Sequence, residues 1–263
     1  MNFLSQDINH IENITKLPIF LKPKSVNDLI RVGRDNDGGY LISKSDVTQS
    51  DHIIGLGIND DWSFEEGFTK LKKVRVSAYD ASVDSDFFLR QVLVSLKRLK
   101  LRSAFRSAQK FSQYKSFFSN GNTHISKFVT DFSLGQYISI DAVFKSAIYF
   151  KNIFLKIDIE GFEYRILESI IENSHRITGL VIEFHDCDLH IDRIEQFVSR
   201  LPLQLVHVHA NNYGLVNANH FPLVLEITFS KHASPDNDNV DTLPHPLDMP
   251  NNPEAKEIKI MFY

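Results

Sequence analysis

The sequence predicts an α/β fold: a doubly wound, Rossmann-like, mostly parallel sheet with helices on both faces. Three observations carry this. The apolar runs NIFLKID (152–158) and GLVIEFH (179–185) are continuous rather than alternating, as strands covered on both faces are. Segments of helical period follow the strand-like runs, and the strand–helix order repeats. The late runs LQLVHVHANN (203–212) and PLVLEITFS (222–230) lack a long crossover between them, so an antiparallel addition at one edge is expected.

The elements follow in order. Residues 1–30 read as a partly helical lead-in interrupted by Pro18 and Pro23. RVGRDNDGGYLIS (31–43) places the turn Asp37-Gly38-Gly39 between two apolar runs, the pattern of a hairpin. HIIGLGINDDWSFEEGF (52–68) reads as strand, glycine turn and helix, with Asp60 or Asp61 as cap and Glu65 and Glu66 in the first turn. KVRVSAYDAS (73–82) is a second strand ending at Asp80. Residues 84–118 read as helical, until Ser119-Asn120-Gly121-Asn122 breaks the pattern. THISKFV (123–129) is a short strand, and ISIDAVF opens a short helix capped by Ser139 or Asp141. NIFLKID leads into a helix over 162–173, and GLVIEFH into an amphipathic helix over 188–200 with Ile191, Ile194, Phe197 and Val198 on one side. Residues 231–256 read as a surface loop, and EIKIMFY as a final edge strand.

The 263 residues suit one domain over 1–263, with an N-terminal extension at 1–45, a helical insertion or lid at 84–120 and a C-terminal loop and edge strand at 231–263. A hydrophobic fraction of 43% and a charged fraction of 24% are those of an ordinary globular chain. A net charge of −4 argues against a general nucleic-acid binder. Cys187 is the only cysteine, so no intrachain disulfide forms. The N-terminus lacks the pattern of a signal peptide, and no apolar run approaches the roughly 20 residues of a membrane span. A cytoplasmic enzyme or binding protein is expected.

Four constellations carry candidate chemistry. Gly55-x-Gly57 follows a strand, and Asp80 closes the next one about 25 residues on, near the roughly 20 expected of an acid that grips ribose hydroxyls. The third glycine of a dinucleotide site is replaced by Asp60, beside Asp61, and two carboxylates repel a pyrophosphate. A cofactor with ribose and no phosphate fits better, and S-adenosylmethionine is one. Asp158 and Glu160 sit at the joint of strand and helix in LKIDIEGFEYRIL (155–167), although Glu160 and Glu163 also suit a helix N-terminus. Glu183, His185 and Asp186 end the next strand, and His207, His209, Asn211 and Asn212 the one after. Asp158, His185 and His209 offer either donors for a divalent metal or general acid–base groups. The bland reading of a histidine in a strand is one satisfied within the sheet, and it is applied here to His207. A basic cluster over 97–115 reads as a solvated helix face, or as a lid for a phosphorylated or nucleotide-linked substrate.

The run LKIDIEGFEYRIL, with IIGLGINDDWSFE, YDAS and ISIDAVF, resembles the FkbM-like S-adenosylmethionine-dependent methyltransferases over roughly residues 31–230. The first run is similar to the family's K-x-D-x-E-G-x-E signature. The chain departs from the family's D-x-G-A-N-x-G pattern, since Gly55 stands near where the first acid belongs; Asp37 or Asp60 is left to supply its contact. The resemblance implies a class I methyltransferase sheet of about seven strands, the last antiparallel. It implies methyl transfer, usually to oxygen and often on sugars or polyketide-derived products. On this reading Gly55, Gly57 and Asp80 bind the cofactor, with Asp60, Ser63, Phe64, Ala81 and Ser82 nearby and Asp37 and Gly38 closing over it. Asp158, His185 and His209, with Glu160 and Glu183, form the acceptor site. The expected acceptor is a small polar molecule, above all a sugar or nucleotide-activated sugar of surface-polysaccharide synthesis. The rival readings are a metal-dependent hydrolase using Asp158, Glu183, His185 and His209, and a nucleotide-binding module without catalysis.

Overall fold

In the computed structural model, residues 14–119, 121–214, 216–218, 221–236, 240 and 242–263 are described. The first strand, β1, covers Ile14–Leu17 and precedes a 3-10 turn at Ile19–Leu21. The hairpin is β2 (Leu29–Val32) and β3 (Tyr40–Ser43), followed by α1 (Lys44–Gln49). Then come β4 (His52–Leu56), α2 (Ser63–Leu71), β5 (Arg75–Tyr79), α3 (Ser85–Lys97) and α4 (Leu101–Phe117). Two short strands, β6 (Thr123–Ile125) and β7 (Phe128–Thr130), lead to β8 (Tyr137–Ser139) and α5 (Ile140–Ser146). The second half holds β9 (Ile153–Ile157), α6 (Glu163–Glu172), β10 (Ile177–Phe184), α7 (Cys187–Arg200), β11 (Gln204–Ala210) and β12 (Leu225–Ser230). The chain closes with β13 (Thr242–Leu243) and β14 (Lys259–Phe262).

Seven strands form the central sheet in the order β6-β5-β4-β9-β10-β12-β11. β6, β5, β4, β9 and β10 are parallel to one another, and β12 runs antiparallel between β10 and β11. This is the doubly wound sheet that the apolar runs predict. The strand order turns back between β4 and β9, so the ends of β4, β5, β9 and β10 open on one crevice.

The two faces of the sheet bury different partners. Ile54, Leu56, Leu155, Ile157, Leu180 and Ile182 share a core with α5, α6 and α7, through residues such as Phe144, Ile166 and Phe197. The alternate residues Ile53, Phe154 and Val181 pack with Phe64 and Phe68 of α2, with Tyr40 and Ile42 of β3, and with Phe88 and Tyr114. Period two therefore places Lys156, Asp158, Glu183 and His185 on the side of α2 and the β2–β3 hairpin. The hairpin is antiparallel, with Val32 opposite Tyr40, as the DGG turn predicts.

Four local expectations are corrected. Residues 14–30 form a strand and a 3-10 turn rather than helix, and residues 1–13 lie outside the described residues. The helical stretch 84–118 is two helices, broken at Leu99, whose φ is 53°. Residues 123–129 split between the end of the central sheet and the separate β7–β8 pair. EIKIMFY is not an edge strand of the central sheet: β14 pairs with β1 and β13 in a small sheet of its own.

Candidate active site

A cleft of about 770 Å³ lies over the C-terminal ends of β4, β5, β9 and β10. Its size is that of a ligand site. One end is built around Asp80, Asn59 and Ser82; the other holds Asp158, Glu183, His185, Asn211 and Tyr213.

The glycine turn after β4 is fixed from three sides. Gly57 has φ +74°, and a Cβ there would overlap the carbonyl oxygen of Asp158. Its N–H donates to Tyr79 O at 2.9 Å. Lys156 Nζ donates to its carbonyl at 2.5 Å. Asp80 holds the following residues: Oδ2 accepts from Asn59 N at 2.7 Å, and Oδ1 from Ser82 N at 2.7 Å and Ser82 Oγ at 2.6 Å. A carboxylate oxygen carries two lone pairs, so Oδ2 retains capacity toward a ligand.

The other end is a charge cluster. Lys156 is buried, and its Nζ lies 3.4 Å from Asp158 Oδ2. Burial opposes its charge most strongly, but Asp158, Glu65 and Glu183 outweigh that, and Lys156 is held above the ordinary lysine value. Glu183 accepts from Tyr40 Oη at 3.2 Å and from Asn211 Nδ2 at 3.0 Å. Burial drives its carboxyl well above the ordinary range; Asp158 and Glu226 add to this, while His185 and Lys156 oppose it. His185 Nδ1 lies 3.1 Å from Glu163 Oε1. Burial works against a charged imidazole there, but Glu163, Glu183 and Asp158 prevail and raise His185 to about 9. Glu163 also accepts from Ile159 N and Gly161 N, fixing the turn in which Glu160 has φ 54° and Gly161 φ +98°.

The hairpin closes the site from above. Arg34 Nε pairs with Asp61 Oδ2 at 3.1 Å, joining the DGGY turn to the entrance of α2. Neither Asp60 nor Asp61 is the cap of that helix, which is Trp62; Asp61 stands one residue before it and accepts from Ser63 N at 3.0 Å. Asp37 lines the cleft, and burial is the main cause of its raised pKa. Glu65 lies in the cleft's inner wall, buried and with no hydrogen-bond partner at Oε1, and burial raises it to about 7 against the pull of Lys156.

Most expected site residues meet here. Asp37, Gly38, Gly57, Asp60, Phe64, Asp80, Ser82, Asp158, Glu160, Glu183 and His185 line the cleft. Gly55, Ser63, Ala81 and His209 are not among its lining residues. Gly55 makes room for Glu65, whose carboxylate a Cβ would strike. Ser63 Oγ is turned to Asp61. His209 is placed differently from the expectation, for a topological reason. β12 intervenes between β10 and β11, so His209 faces Glu226, and Glu226 faces Glu183. Its Nδ1 lies 3.0 Å from Glu226 and its Nε2 2.8 Å from Glu257. The expected metal set Asp158–His185–His209 is therefore not assembled. The donor atoms of Asp158, Glu183 and His185 instead lie within 4.8 Å of one another. Glu160 is 83% exposed, and its contact to His185 is at 3.5 Å. Of the basic residues in 97–115, none lines this cleft, although Lys110 Nζ lies 2.5 Å from Asp60 at its rim.

Sequence reasoning misses Lys156, Tyr40, Glu65, Asn59 and the anchoring role of Glu163. For Lys156 a signal exists: a charge inside an otherwise apolar strand must find partners when buried. Tyr40 and Asn59 carry no such signal.

A seven-stranded sheet with a glycine turn, a strand-end acid and a polar crevice is the architecture of class I methyltransferases. The family model described as "Methyltransferase FkbM domain" matches residues 50–205, and the chain belongs to that family. Membership implies S-adenosylmethionine as methyl donor. Comparison with curated proteins returned no match. Among solved structures, the methyltransferase FkbM from Methylobacillus flagellatus KT is similar at 17% identity and a TM-score of 0.39, over 68% of this chain and 44% of that one. The present chain thus spans less than half of that protein. The solved structure of a "delta-N METTL16 MTase domain" is similar at 9% identity and a TM-score of 0.39, over 70% of this chain and 74% of that one.

Proposed function

We propose that the protein is an S-adenosylmethionine-dependent O-methyltransferase acting on a hydroxyl of a small polar acceptor, with a sugar or nucleotide-activated sugar of surface-polysaccharide synthesis as the favoured class. The observation that carries this reading is the division of one cleft into a donor end and an acceptor end. The donor end has what a nucleoside needs: an acid with free acceptor capacity at Asp80, the turn at Gly57 where a Cβ would not fit, and the apolar walls Ile58 and Phe64. Asp60 and Asp61 at its rim suit a cofactor without phosphate. Asp37 and Gly38 close this end from the hairpin.

When bound, the cofactor supplies an electrophilic methyl group. The residues of the chain position the acceptor and take its proton. Asp158 is the proton acceptor in this reading, because it is more open to the cleft than its buried neighbour, at 27% side-chain exposure against 8% for Glu183. Lys156 orients it from below. His185, raised to about 9, is a proton-bearing donor at neutral pH and suits holding an acceptor oxygen. Glu183, with Tyr40 and Asn211 donating to it, fixes the wall of the acceptor end. A base contributes roughly 10²–10⁴-fold. Positioning supplies about 7–11 kcal/mol at best. The polar lining of Asn211, Tyr213 and His185 favours a hydroxyl-rich acceptor over an apolar one.

The metal reading fits these residues poorly. Lys156 already places a cation 3.4 Å from Asp158, and His185 Nδ1 is engaged by Glu163 at 3.1 Å. The reading is tested with methyl-labelled S-adenosylmethionine and a panel of free, phosphorylated and nucleotide-linked sugars, with and without a chelator. Label transfer to a sugar oxygen, unchanged by the chelator, is the expected result. Transfer only to nitrogen or carbon acceptors would remove the oxygen assignment.

A further inference from the structure

The α3–α4 hairpin is unlike the rest of the surface. Past Asp84 and Asp86 at its base, residues 87–118 carry eight Lys and Arg and no Asp or Glu, which leaves the remainder of the chain at −12, with 21 cations against 33 acids. The same hairpin exposes large apolar side chains. Leu99 at its tip is 85% exposed, with Phe105 at 72% and Leu101 at 71%. Leu89, Leu93 and Leu96 are exposed on α3 at the spacing of one helical face, and Leu101 and Phe105 continue the pattern on α4. The two helices meet through Ser95 and Ala104, both buried, and Ser95 Oγ lies 3.2 Å from Ser103 Oγ. Phe88 of α3 also packs on Tyr114 of α4, with ring centroids 4.7 Å apart, whereas Leu99, Leu101 and Phe105 are more than two-thirds exposed. Exposed apolar side chains gathered in this way mark a binding surface.

We propose that this hairpin docks the protein on a lipid surface rich in anionic headgroups, its apolar tip entering the headgroup boundary and its cations resting on the phosphates. Apolar residues flanked by lysine and arginine on short helices are the composition of elements that lie in that interface. Neither helix is long and apolar enough to cross a bilayer. Two other occupants fit less well. A symmetric contact with the hairpin of a second copy would bring eight cations against eight, and a contact with the acidic remainder of a second copy would satisfy the cations but give Leu99, Leu101 and Phe105 no apolar partner. A nucleic acid would satisfy the cations but leave Leu99, Leu101 and Phe105 in water. The tip is also separate from the cleft: from Lys110, which touches Asp60, to Leu101 is about 14 Å along the helix axis. The docking surface is thus independent of the assignment of the cleft.

The test is sedimentation of the full chain with vesicles of phosphatidylcholine alone and with vesicles in which phosphatidylglycerol replaces a third of it. Binding to the anionic vesicles at least about tenfold above the neutral ones, weakened by salt, is expected. Leu99→Glu combined with Phe105→Glu lowers that binding about tenfold or more while S-adenosylmethionine affinity and the circular dichroism spectrum are retained. Lys97→Gln with Lys100→Gln, at exposed positions, also lowers it. No preference for anionic vesicles, or wild-type binding by the Leu99/Phe105 variant, overturns the proposal. So does displacement by an RNA duplex that the Leu99/Phe105 variant still binds as the wild type does, because the surface would then be a site for polyanions.

Discussion

Two clusters of the same residue types sit on one face of the same sheet, and only one of them faces the cleft. Glu183 lies opposite Glu226, and Glu226 opposite His209, so a single polar row crosses β10, β12 and β11. At the β9–β10 end the row meets the cleft through Asp158, Glu183 and His185. At the β11 end it is sealed. His209 is clamped between Glu226 and Glu257, His207 lies 3.1 Å from Asp248, and Asn251 Nδ2 donates to Glu226 at 2.6 Å. Burial opposes a charged His209, yet its two carboxylate partners hold it well above the ordinary imidazole value. The difference teaches that a histidine or carboxylate on an inner strand becomes a candidate for chemistry through access, not through residue type. The open cluster keeps a carboxylate with room beside it; the closed cluster uses both nitrogens of its histidine, one on Glu226 of β12 and one on Glu257 of the C-terminal segment.

Asp158→Asn breaks the comparison most sharply. Turnover should fall roughly 10²–10⁴-fold. Calorimetry should show S-adenosylmethionine affinity nearly unchanged, and full activity would remove Asp158 as the proton acceptor. His209→Gln should act on the other quantity. Removing one partner of a buried charge pair costs about 3–5 kcal/mol, to be read as a lower midpoint in urea unfolding. A loss of turnover without a loss of stability would place His209 in the chemistry after all.

A pH series sharpens the contrast further. His185 is raised from 6.5 to about 9 in the folded chain, so its stabilising contribution is complete below about pH 6.5 and is lost as pH rises through 9. His185→Gln should flatten that part of the stability profile; an unchanged slope would mean that the Glu163–His185 pair carries no such coupling. Tyr40→Phe is the mildest test. It removes one donor to Glu183 and should cost about 1 kcal/mol in stability, with a small fall in acceptor affinity.

The legibility of this molecule in its sequence divides along similar lines. Continuous apolar strands, the DGG turn and the ends of α6 and α7 are readable because each rests on a local pattern. The Asp80 end of the cleft is largely readable as well, since Gly57 and Asp80 belong to one strand–helix–strand unit. The Asp158 end is readable only in part. Asp158 and His185 follow adjacent strands, but the separation of His209 from them depends on β12 entering between β10 and β11, which is a property of topology and leaves no mark near residue 209. Lys156 is hidden for another reason. It sits inside an apolar strand, and only the structure shows that Asp158, Glu65 and Glu183 surround it. Gly55 and Ser63 belong to the same strand–turn–helix run as Gly57, yet Gly55 serves the packing of Glu65 and Ser63 Oγ donates to Asp61.

On the proposed function, the open cleft holds S-adenosylmethionine with Asp80 at its donor end. Calorimetric titration of the cofactor into wild type and Asp80→Ala, with folding checked by circular dichroism, tests it directly. The wild type should bind, and the variant should lose about tenfold or more in affinity, as loss of a hydrogen-bonded charged group implies. A folded wild type that binds no S-adenosylmethionine, or an Asp80→Ala variant that binds it equally well, would contradict the account.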